Sequence, residues 1–476
     1  MIIFETLYIL KGEWKGDFFE HSAVVNELSK NLIYPNNPII KSDIPHAFFS
    51  PYSVLVASFS KITGLNSIHS LAWFAFFNLI FFITSFYYFS KRIFKKNHIT
   101  IASTSLILTM LFWGESPFVW SGFSHIFTLH YVLPYPSTFA LSLTLLSLGI
   151  VSKNNKRDSL IVILFSSIVF ISHPTTAITL YIGIITLTFS SNDYSIKRCF
   201  IKSFILIFPS LILSLFWPYF NIIDLFIGNS NNMDFHAQSL VMYSDIIKKN
   251  WPILFIIPSF IFLNKNSIVM FFSLTIMSLL LVYIGGYVFN FHGVSRVISS
   301  AMLFSHFLIA YSIIFLVSKP KSFNKIYLLF LFSAIIISIS LNFRQLGHVT
   351  LGIFKQKDIE YYNRFSFLKR LVKPNDIILS DSESNWIIPS FNGKVIASDH
   401  PLYWINDFED RRNDVNSFFI KKNLDSLRLV TINKYHPDYI LINYKNVDFN
   451  NSTNQWLKTI GESIYKKNEL ELIKIH

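Results

Sequence analysis

The sequence contains very little cysteine and little charge for its length. Cys199 is the single cysteine among 476 residues, which excludes a disulfide within the chain. Charged residues make up only 14% of the chain, whereas 52% of it is hydrophobic and phenylalanine alone contributes 51 residues. A water-soluble core cannot absorb so much apolar surface, but a bilayer can. The composition therefore predicts a polytopic α-helical membrane protein.

The net charge of +13 indicates a membrane rather than a nucleic-acid partner. Residues 1–344 carry 23 Lys and Arg against 12 Asp and Glu, whereas residues 345–476 carry 18 against 16. The excess therefore falls in the apolar part of the chain, where short basic loops set the orientation of spans. Residues 1–11 are too short and too acidic for a cleavable signal peptide.

Apolar segments between residues 67 and 344 predict about ten spans. They lie at 69–89, 99–115, 137–152, 159–173, 174–190, 200–219, 251–264, 267–290, 297–317 and 325–344.

The loops between these segments alternate in charge. Basic residues cluster in one set of loops, and the other set holds only Lys248, Lys249 and Arg296. Since basic loops stay in the cytoplasm, we expect the first set to be cytoplasmic and residues 345–476 to lie outside. The basic set is Lys91, Arg92, Lys95, Lys96, Lys153, Lys156, Arg157, Lys197, Arg198, Lys265, Lys319 and Lys321.

The pattern predicts three regions. Residues 1–66 form an outer loop with an interfacial or re-entrant helix that ends near Gly64. Residues 67–344 form the transmembrane helical domain. Residues 345–476 alternate between short strand and helix patterns, which predicts a small extracytoplasmic α/β domain with a mostly parallel sheet. Its strands are expected at 376–380, 394–398 and 438–442, its helices at 383–391 and 407–422, and a terminal strand pair within 463–475.

Asp17, Glu20 and His21 form a polar group ahead of the first long apolar segment. Their i, i+3 and i+4 spacing places all three on one face if a helix begins here. A helix start with Asp17 as N-cap and Glu20 completing a capping box explains the same residues without any function.

Histidines gather near the outer side of the predicted spans. Titratable groups at one membrane face suggest a site there, although imidazoles are common at interfaces in general. The loop 115–137 also contains aromatic residues and no Lys or Arg, which suits stacking on a sugar or an interfacial aromatic belt. The substrate-binding candidates in these regions are His46, His125, His130, Tyr135, His236 and His292.

Arg296 opens a predicted span on the outer face, where basic residues are scarce. It is a candidate clamp for a phosphate group, and snorkelling to lipid headgroups is the alternative. No cysteine cluster or metalloprotease histidine spacing indicates a structural metal. The sequence therefore specifies no cofactor. A divalent ion held by Asp17 with a histidine is the alternative that stays open.

The chain resembles GT-C superfamily glycosyltransferases, a group that includes protein mannosyltransferases and lipid A aminoarabinose transferases. The resemblance lies in three stretches: residues 16–21, residues 35–52 with Pro-Asn-Asn-Pro and Pro-His-Ala-Phe-Phe-Ser-Pro-Tyr, and residues 384–401. The order of many spans followed by a small outer α/β domain fits as well. The family has a span ahead of its first outer loop, so either residues 1–10 are the remnant of a first helix or the true start lies upstream.

The resemblance implies transfer of a sugar from a polyprenyl-phosphate carrier to an acceptor hydroxyl outside the cytoplasm. It maps the catalytic aspartate of the first outer loop onto Asp17, and Glu20 or His21 would orient it. A single base acting in one displacement would invert the anomeric centre. The acceptor, whether lipid, glycan or protein, and the donor sugar are not specified by these residues. The expected location is the bacterial inner membrane.

Two other classes of protein fit the same layout. A transporter or flippase for a lipid-linked sugar would carry charges or broken helices at mid-membrane, which these spans almost entirely lack. A non-catalytic membrane scaffold with an outer domain is the remaining alternative.

Overall fold

The computed structural model describes most of the chain, with side chains. The described residues are 14, 17–152, 156–190, 195–227, 239–263, 266–318, 322–345, 347, 360–398 and 404–476.

Two helices precede the apolar region. Helix α1 spans Asp17–Lys30 and helix α2 spans Pro51–Thr63. Ser50 caps α2 by accepting a hydrogen bond from a backbone N–H of the first turn. Proline suits the first helical position because it lacks the N–H that would have no partner within the helix there. Gly64 ends the helix with φ of 71°, a conformation that glycine adopts without steric cost. The helix expected to end near Gly64 is therefore present.

The described residues of the apolar region are mostly helical, and the longest described stretch between two helices there is the loop 112–128. Helical structure occupies each segment predicted as a span, although residues 251–263 are a 3₁₀ stretch followed by a short α-helix. Four of the described helices are long and apolar enough to cross a membrane, and five more are apolar but shorter. Ten spans therefore remain a prediction. The helices are α3 Ser67–Ile93, α4 His98–Leu111, α5 Leu129–Val132, α6 Pro136–Val151, α7 Lys156–Ser172, α8 Pro174–Ser190, α9 Ile196–Leu215, α10 Asp224–Ile227, α11 Ile246–Asn250, α12 Ile257–Leu263, α13 Ser267–Val288, α14 Val297–Val317 and α15 Ser322–Leu341.

Hydroxyl pairs join several of these helices. Thr186 on α8 lies 2.6 Å from the hydroxyl of Thr275 on α13, and Thr179 on α8 donates to Ser300 on α14 at 2.9 Å. Small polar side chains let apolar helices approach closely and hydrogen-bond without water.

The C-terminal region forms a five-stranded sheet with helices, as the strand and helix patterns predict. The strand order is β2-β1-β3-β5-β4, in which β1 pairs in parallel with β2 and β3, and β5 pairs antiparallel with β3 and β4. The predicted mostly parallel sheet thus has a parallel half and an antiparallel half. Its elements are α16 Glu360–Phe365, α17 Leu368–Leu371, β1 Ile377–Ser380, α18 Ser382–Ile387, β2 Lys394–Val395, α19 Phe408–Phe419, α20 Asp425–Tyr435, β3 Tyr439–Asn443, α21 Asn451–Ile460, β4 Gly461–Lys467 and β5 Leu470–Ile475.

The described chain divides into two compact units. The helical unit comprises residues 73–217 and 239–347. The mixed unit comprises Trp14 and residues 17–72, 218–227 and 360–476. Residues near both ends of the chain therefore fold together in the mixed unit.

Hydrogen bonds inside the mixed unit join the N-terminal segment to the sheet. The backbone N–H of Val395 on β2 donates to the Ile39 carbonyl at 2.8 Å. Because β2 is the edge strand, the segment around Ile39 covers this edge of the sheet. The Ser390 hydroxyl donates to the carbonyl of Phe19 on α1 at 2.9 Å. The helix that carries Asp17 thus packs directly on the C-terminal sheet region.

A buried ion pair reinforces this packing. The Lys394 ammonium lies 2.8 Å from a carboxylate oxygen of Glu27 on α1, and it also donates to the Asn37 carbonyl at 2.5 Å. Burial lowers the pKa of Lys394, and the neighbouring Glu27 carboxylate opposes that shift.

Candidate functional site

The first turn of α1 separates an exposed carboxylate from two buried polar groups. Asp17 is the first residue of the helix and is exposed, whereas Glu20 and His21 are buried. An acidic side chain in the first turn of a helix is favoured by the helix dipole, so this placement also suits α1 itself. Asp17 is therefore accessible from solution, whereas Glu20 and His21 are enclosed by the protein.

Glu20 is paired with His46 in the buried part of the mixed unit. His46 Nδ1 accepts a hydrogen bond from the Phe48 backbone N–H at 3.2 Å. The ring proton therefore lies on Nε2, which is 3.3 Å from Glu20 Oε1. His46 Nε2 thus faces the Glu20 carboxylate as its ion-pair partner.

His21 packs against the segment that carries His46. Its ring stacks on Phe48 with the centroids 4.7 Å apart and the planes 10° from parallel. Phe48 was quoted in the sequence resemblance but was not a site candidate. It holds both histidines, one through its ring and the other through its backbone N–H. The structure therefore brings together three of the predicted residues, Glu20, His21 and His46.

The predicted outer-loop histidine His125 lies in the helical unit and is fully buried. Its Nε2 donates to the Phe118 carbonyl at 3.0 Å, and its ring lies against Trp113 with the centroids 5.0 Å apart. Burial lowers the pKa of His125 to about 3, so this imidazole is neutral at ordinary pH. These contacts organise the loop between α4 and α6 from within.

His130 and Tyr135 lie in the same loop region. His130 belongs to the short helix α5, is buried, and lies against Tyr131 with the ring centroids 4.0 Å apart. Burial lowers its pKa to about 4. Tyr135 is half-buried and directly precedes α6 in an extended conformation.

Arg296 and His292 lie on one 3₁₀ turn, His292–Arg296, that leads into α14. The guanidinium carbon of Arg296 is 5.4 Å from the centroid of the Trp120 ring, a cation–π distance that orients a half-buried arginine. His292 lies edge-on to Tyr243 with the ring centroids 5.6 Å apart. Trp120 belongs to the aromatic loop 115–137 and was not predicted as a site residue. His236 lies outside the described residues.

A metal centre finds no support in the part of the chain that the structure describes. Within it, no three His, Cys, Asp or Glu side chains come together to hold an ion. A divalent ion with Asp17 therefore stays a prediction.

Searches for relatives by sequence found none: no family model matches the chain, and no curated protein sequence matches it.

Solved structures with similar folds do exist. ArnT from Cupriavidus metallidurans bound to undecaprenyl phosphate matches with a TM-score of 0.53 at 8% identity, over 99% of this chain and 96% of that one. The apo oligosaccharyltransferase of Archaeoglobus fulgidus matches with a TM-score of 0.52 at 11% identity, over 93% of this chain and 69% of that one. The archaeal oligosaccharyltransferase AglB of the same organism, in complex with an inhibitory peptide and a dolichol-phosphate, also has a TM-score of 0.52, at 10% identity over 92% of this chain and 68% of that one.

The chain therefore shares the fold of ArnT and of the archaeal oligosaccharyltransferase, which is the fold that the resemblance in the sequence predicts. Its apolar helices fit an integral membrane protein of this fold. At identities of 8–11% the likeness concerns the fold, so activity has to be argued from this chain's own residues.

Proposed function

We propose that this protein transfers a sugar from a polyprenyl-phosphate donor to an acceptor hydroxyl at the outer face of the bacterial inner membrane. Support comes from the fold, which is shared with ArnT bound to undecaprenyl phosphate and with AglB in complex with a dolichol-phosphate. The observation that carries the proposal is the exposed Asp17 carboxylate on a helix whose inner side holds the Glu20–His46 pair.

Asp17 is assigned as the general base. It takes the proton of the acceptor hydroxyl while the oxygen attacks C1 of the donor sugar, and the bond between C1 and the phosphate oxygen breaks. One displacement of this kind inverts the anomeric centre. The leaving group is an anion, and Arg296 is assigned to bind it because a guanidinium matches a phosphate with two parallel hydrogen bonds.

Glu20, His21 and His46 are assigned as positioning residues. Glu20 is buried and forms an ion pair with His46, so it is poorly placed to take a proton from an incoming acceptor. Since Glu20 lies one turn from Asp17 on the same helix, its fixed carboxylate and the stacked His21 hold the first turn in place.

The test is transfer of radiolabelled sugar from a panel of polyprenyl-phosphate sugars by the purified protein. Asp17→Asn keeps size and much of the hydrogen bonding but cannot take a proton, so the rate should fall by roughly two to four powers of ten. Asp43→Asn removes another exposed carboxylate from the same unit and is the matched control, which should keep its rate. If Asp17→Asn folds and keeps more than about a tenth of the rate, the base assignment is wrong.

The same assay separates this function from its alternatives. A flippase would move the lipid-linked sugar across a vesicle bilayer without breaking the bond to phosphate, and a scaffold would do neither. Absence of transfer for every donor, with flipping observed, would replace the enzyme by a transporter.

A further inference from the structure

The parallel half of the sheet contains a crevice that the proposed reaction does not use. In the order β2-β1-β3, the chain leaves β1 toward β2 and then crosses to the far side of β1 to form β3. The connections after β1 and β3 therefore diverge, which opens a crevice at the carboxyl ends of these two strands. In open α/β sheets, ligands bind at such a switch point.

Polar side chains from both strand ends meet in this crevice. Asp381 directly follows β1, and Asn446 follows β3 by three positions. The Asn446 amide nitrogen donates to Asp381 Oδ1 at 2.9 Å and to Glu383 Oε2 at 2.8 Å. Asn443, the last residue of β3, is buried below them and donates to the Ser384 hydroxyl at 3.4 Å.

One carboxylate oxygen in the crevice has no hydrogen bond. Asp381 is only 7% exposed, and its Oδ1 accepts from Asn446 and from the Ser384 backbone N–H, the bond that caps α18. Its Oδ2 is buried and accepts from no residue in the described chain. Since leaving a buried charged acceptor unsatisfied is costly, this atom calls for a bound partner.

That partner must donate hydrogen bonds. The hydrogen-bond donors nearby already have acceptors. Both hydrogens of the Asn446 amide point to carboxylates. The Ser380 hydroxyl donates to Asn385, and the Arg364 guanidinium donates to Asn443. A divalent cation needs several oxygen ligands, but Asn446 presents its nitrogen to both carboxylates. Hydroxyl groups of a sugar fit this arrangement because each supplies an O–H donor.

A ligand reaches the buried carboxylate once the side chains above it turn aside. Asn446 and Glu383 are both exposed, and together they border the crevice over Asp381. Since neither belongs to a strand, both side chains can turn aside without disturbing the sheet.

We propose that this crevice is a saccharide-binding subsite, with Asp381 accepting a hydrogen bond from a sugar hydroxyl. It rests on the proposed function in one respect: the saccharide would be part of the acceptor, which makes the acceptor a glycan or glycolipid.

The test is saturation-transfer NMR on the full chain in lipid nanodiscs, because a maltoside detergent would itself present sugar hydroxyls. The probes are the methyl glycosides of glucose, galactose and mannose, N-acetylglucosamine, and glucosamine as an ammonium-bearing comparison. Asp381→Asn preserves size and helix capping but puts an N–H donor where the free acceptor was. Asp410→Asn makes the same charge change at an exposed position on α19 and is the matched control.

We expect at least one neutral saccharide to bind the wild type. Asp381→Asn should weaken that binding by about tenfold to a hundredfold, as expected for loss of a hydrogen bond to a charged group, while Asp410→Asn leaves it unchanged. If Asp381→Asn unfolds, Asp381→Ser serves instead, because serine also caps a helix and lacks the free carboxylate oxygen, and it should weaken binding to the same extent. The proposal is overturned if no neutral saccharide binds the wild type, if only glucosamine binds, or if the folded Asp381 variant binds like the wild type.

Transfer activity is measured on the same samples. Transfer without saccharide binding would remove the crevice proposal and keep the proposed function. Saccharide binding at Asp381 without transfer would remove the proposed function and keep the saccharide subsite.

Discussion

Lys394 of β2 and Glu27 of α1 form a buried ion pair with 2.8 Å between nitrogen and oxygen. Both side chains are almost fully excluded from solvent, at 2% and 7% exposure. Breaking a buried pair by removing one partner leaves an uncompensated charge, which costs about 3–5 kcal/mol, whereas replacing both partners is far milder.

This pair gives a stability prediction. Lys394→Met should lower the melting temperature strongly, and the double variant Lys394→Met with Glu27→Leu should recover most of the loss. Lys422→Met, at an exposed position of the same region, is the control and should change little. Thermal unfolding of the full chain measures all four proteins. Equal losses in the single and double variants would show that the two side chains do not compensate each other.

The Glu20–His46 pair predicts that the two acidic residues in the first turn of α1 differ in their effect on sugar transfer. Glu20→Gln keeps an oxygen for the His46 N–H, so the fold should hold and sugar transfer should fall by less than about tenfold, whereas Asp17→Asn removes two to four powers of ten. Initial rates at saturating donor compare the two variants. A larger loss for Glu20→Gln would make Glu20 the base.

Arg296 predicts a donor-specific effect. Arg296→Lys keeps the charge but loses the two-pronged geometry, so KM for the lipid donor should rise, and Arg296→Ala should raise it further. Trp120→Leu removes the ring under the guanidinium and should have a smaller effect in the same direction. Arg344→Ala, an exposed arginine of the helical unit, is the control. Normal activity of Arg296→Ala would leave only an interaction with lipid headgroups.

The buried histidines predict a loss of stability in acid. The pKa of His125 is about 3 and that of His130 about 4 in the folded protein, both below the ordinary value of 6.5. Between these pKa values and pH 6.5 the unfolded chain therefore binds more protons than the folded chain. The contribution of the neutral histidines to the free energy of unfolding is complete above pH 6.5 and is lost as the pH falls.

Melting temperatures at pH 7.5 and 4.5 check this expectation. His125→Gln retains a donor for the Phe118 carbonyl but does not titrate, so its melting temperature should fall less than that of the wild type. His476→Gln, at an exposed position, should behave like the wild type. An identical fall in all three proteins would assign the acid sensitivity to other groups.

Orientation in the membrane is testable with single cysteines. Cys199 is buried, so an impermeant thiol reagent should label the wild type weakly. In intact cells Lys422→Cys should be labelled and Lys95→Cys should not, and permeabilisation should expose Lys95→Cys. The opposite pattern would invert the topology inferred from the basic loops.

Much of the fold could be predicted because its signals are local. The apolar segments coincide with helices, and α8, Pro174–Ser190, covers the predicted residues because proline at its start breaks the preceding helix. The strands β1 and β3 were predicted within one residue at each end, since each is a short apolar run. Helices α20 and α21 were missed. Leu427 and Val430 of α20 are exposed, so the apolar residues of this helix do not define a buried face. Helix α21 begins with residues of low helix propensity.

The candidate site was only partly predictable. The i, i+3, i+4 spacing of Asp17, Glu20 and His21 correctly placed them on one helix, but the exposure of Asp17 and the burial of Glu20 depend on tertiary packing. The pairing of Glu20 with His46 crosses a turn-rich segment, and no local pattern encodes it. Periodicity likewise gave no reason to expect that α1 packs on a sheet formed near the other end of the chain.

The joining of the two chain ends in one unit has a consequence for biogenesis. Glu27 is made early, but its partner Lys394 is 367 positions further along. Ribosomes deliver the chain from its amino end, so α1 and the segment around residue 39 must wait until the apolar helices and β2 have been synthesised. Contacts so distant in sequence form late and slowly. The helix that carries Asp17 therefore acquires its final setting as one of the last events of assembly.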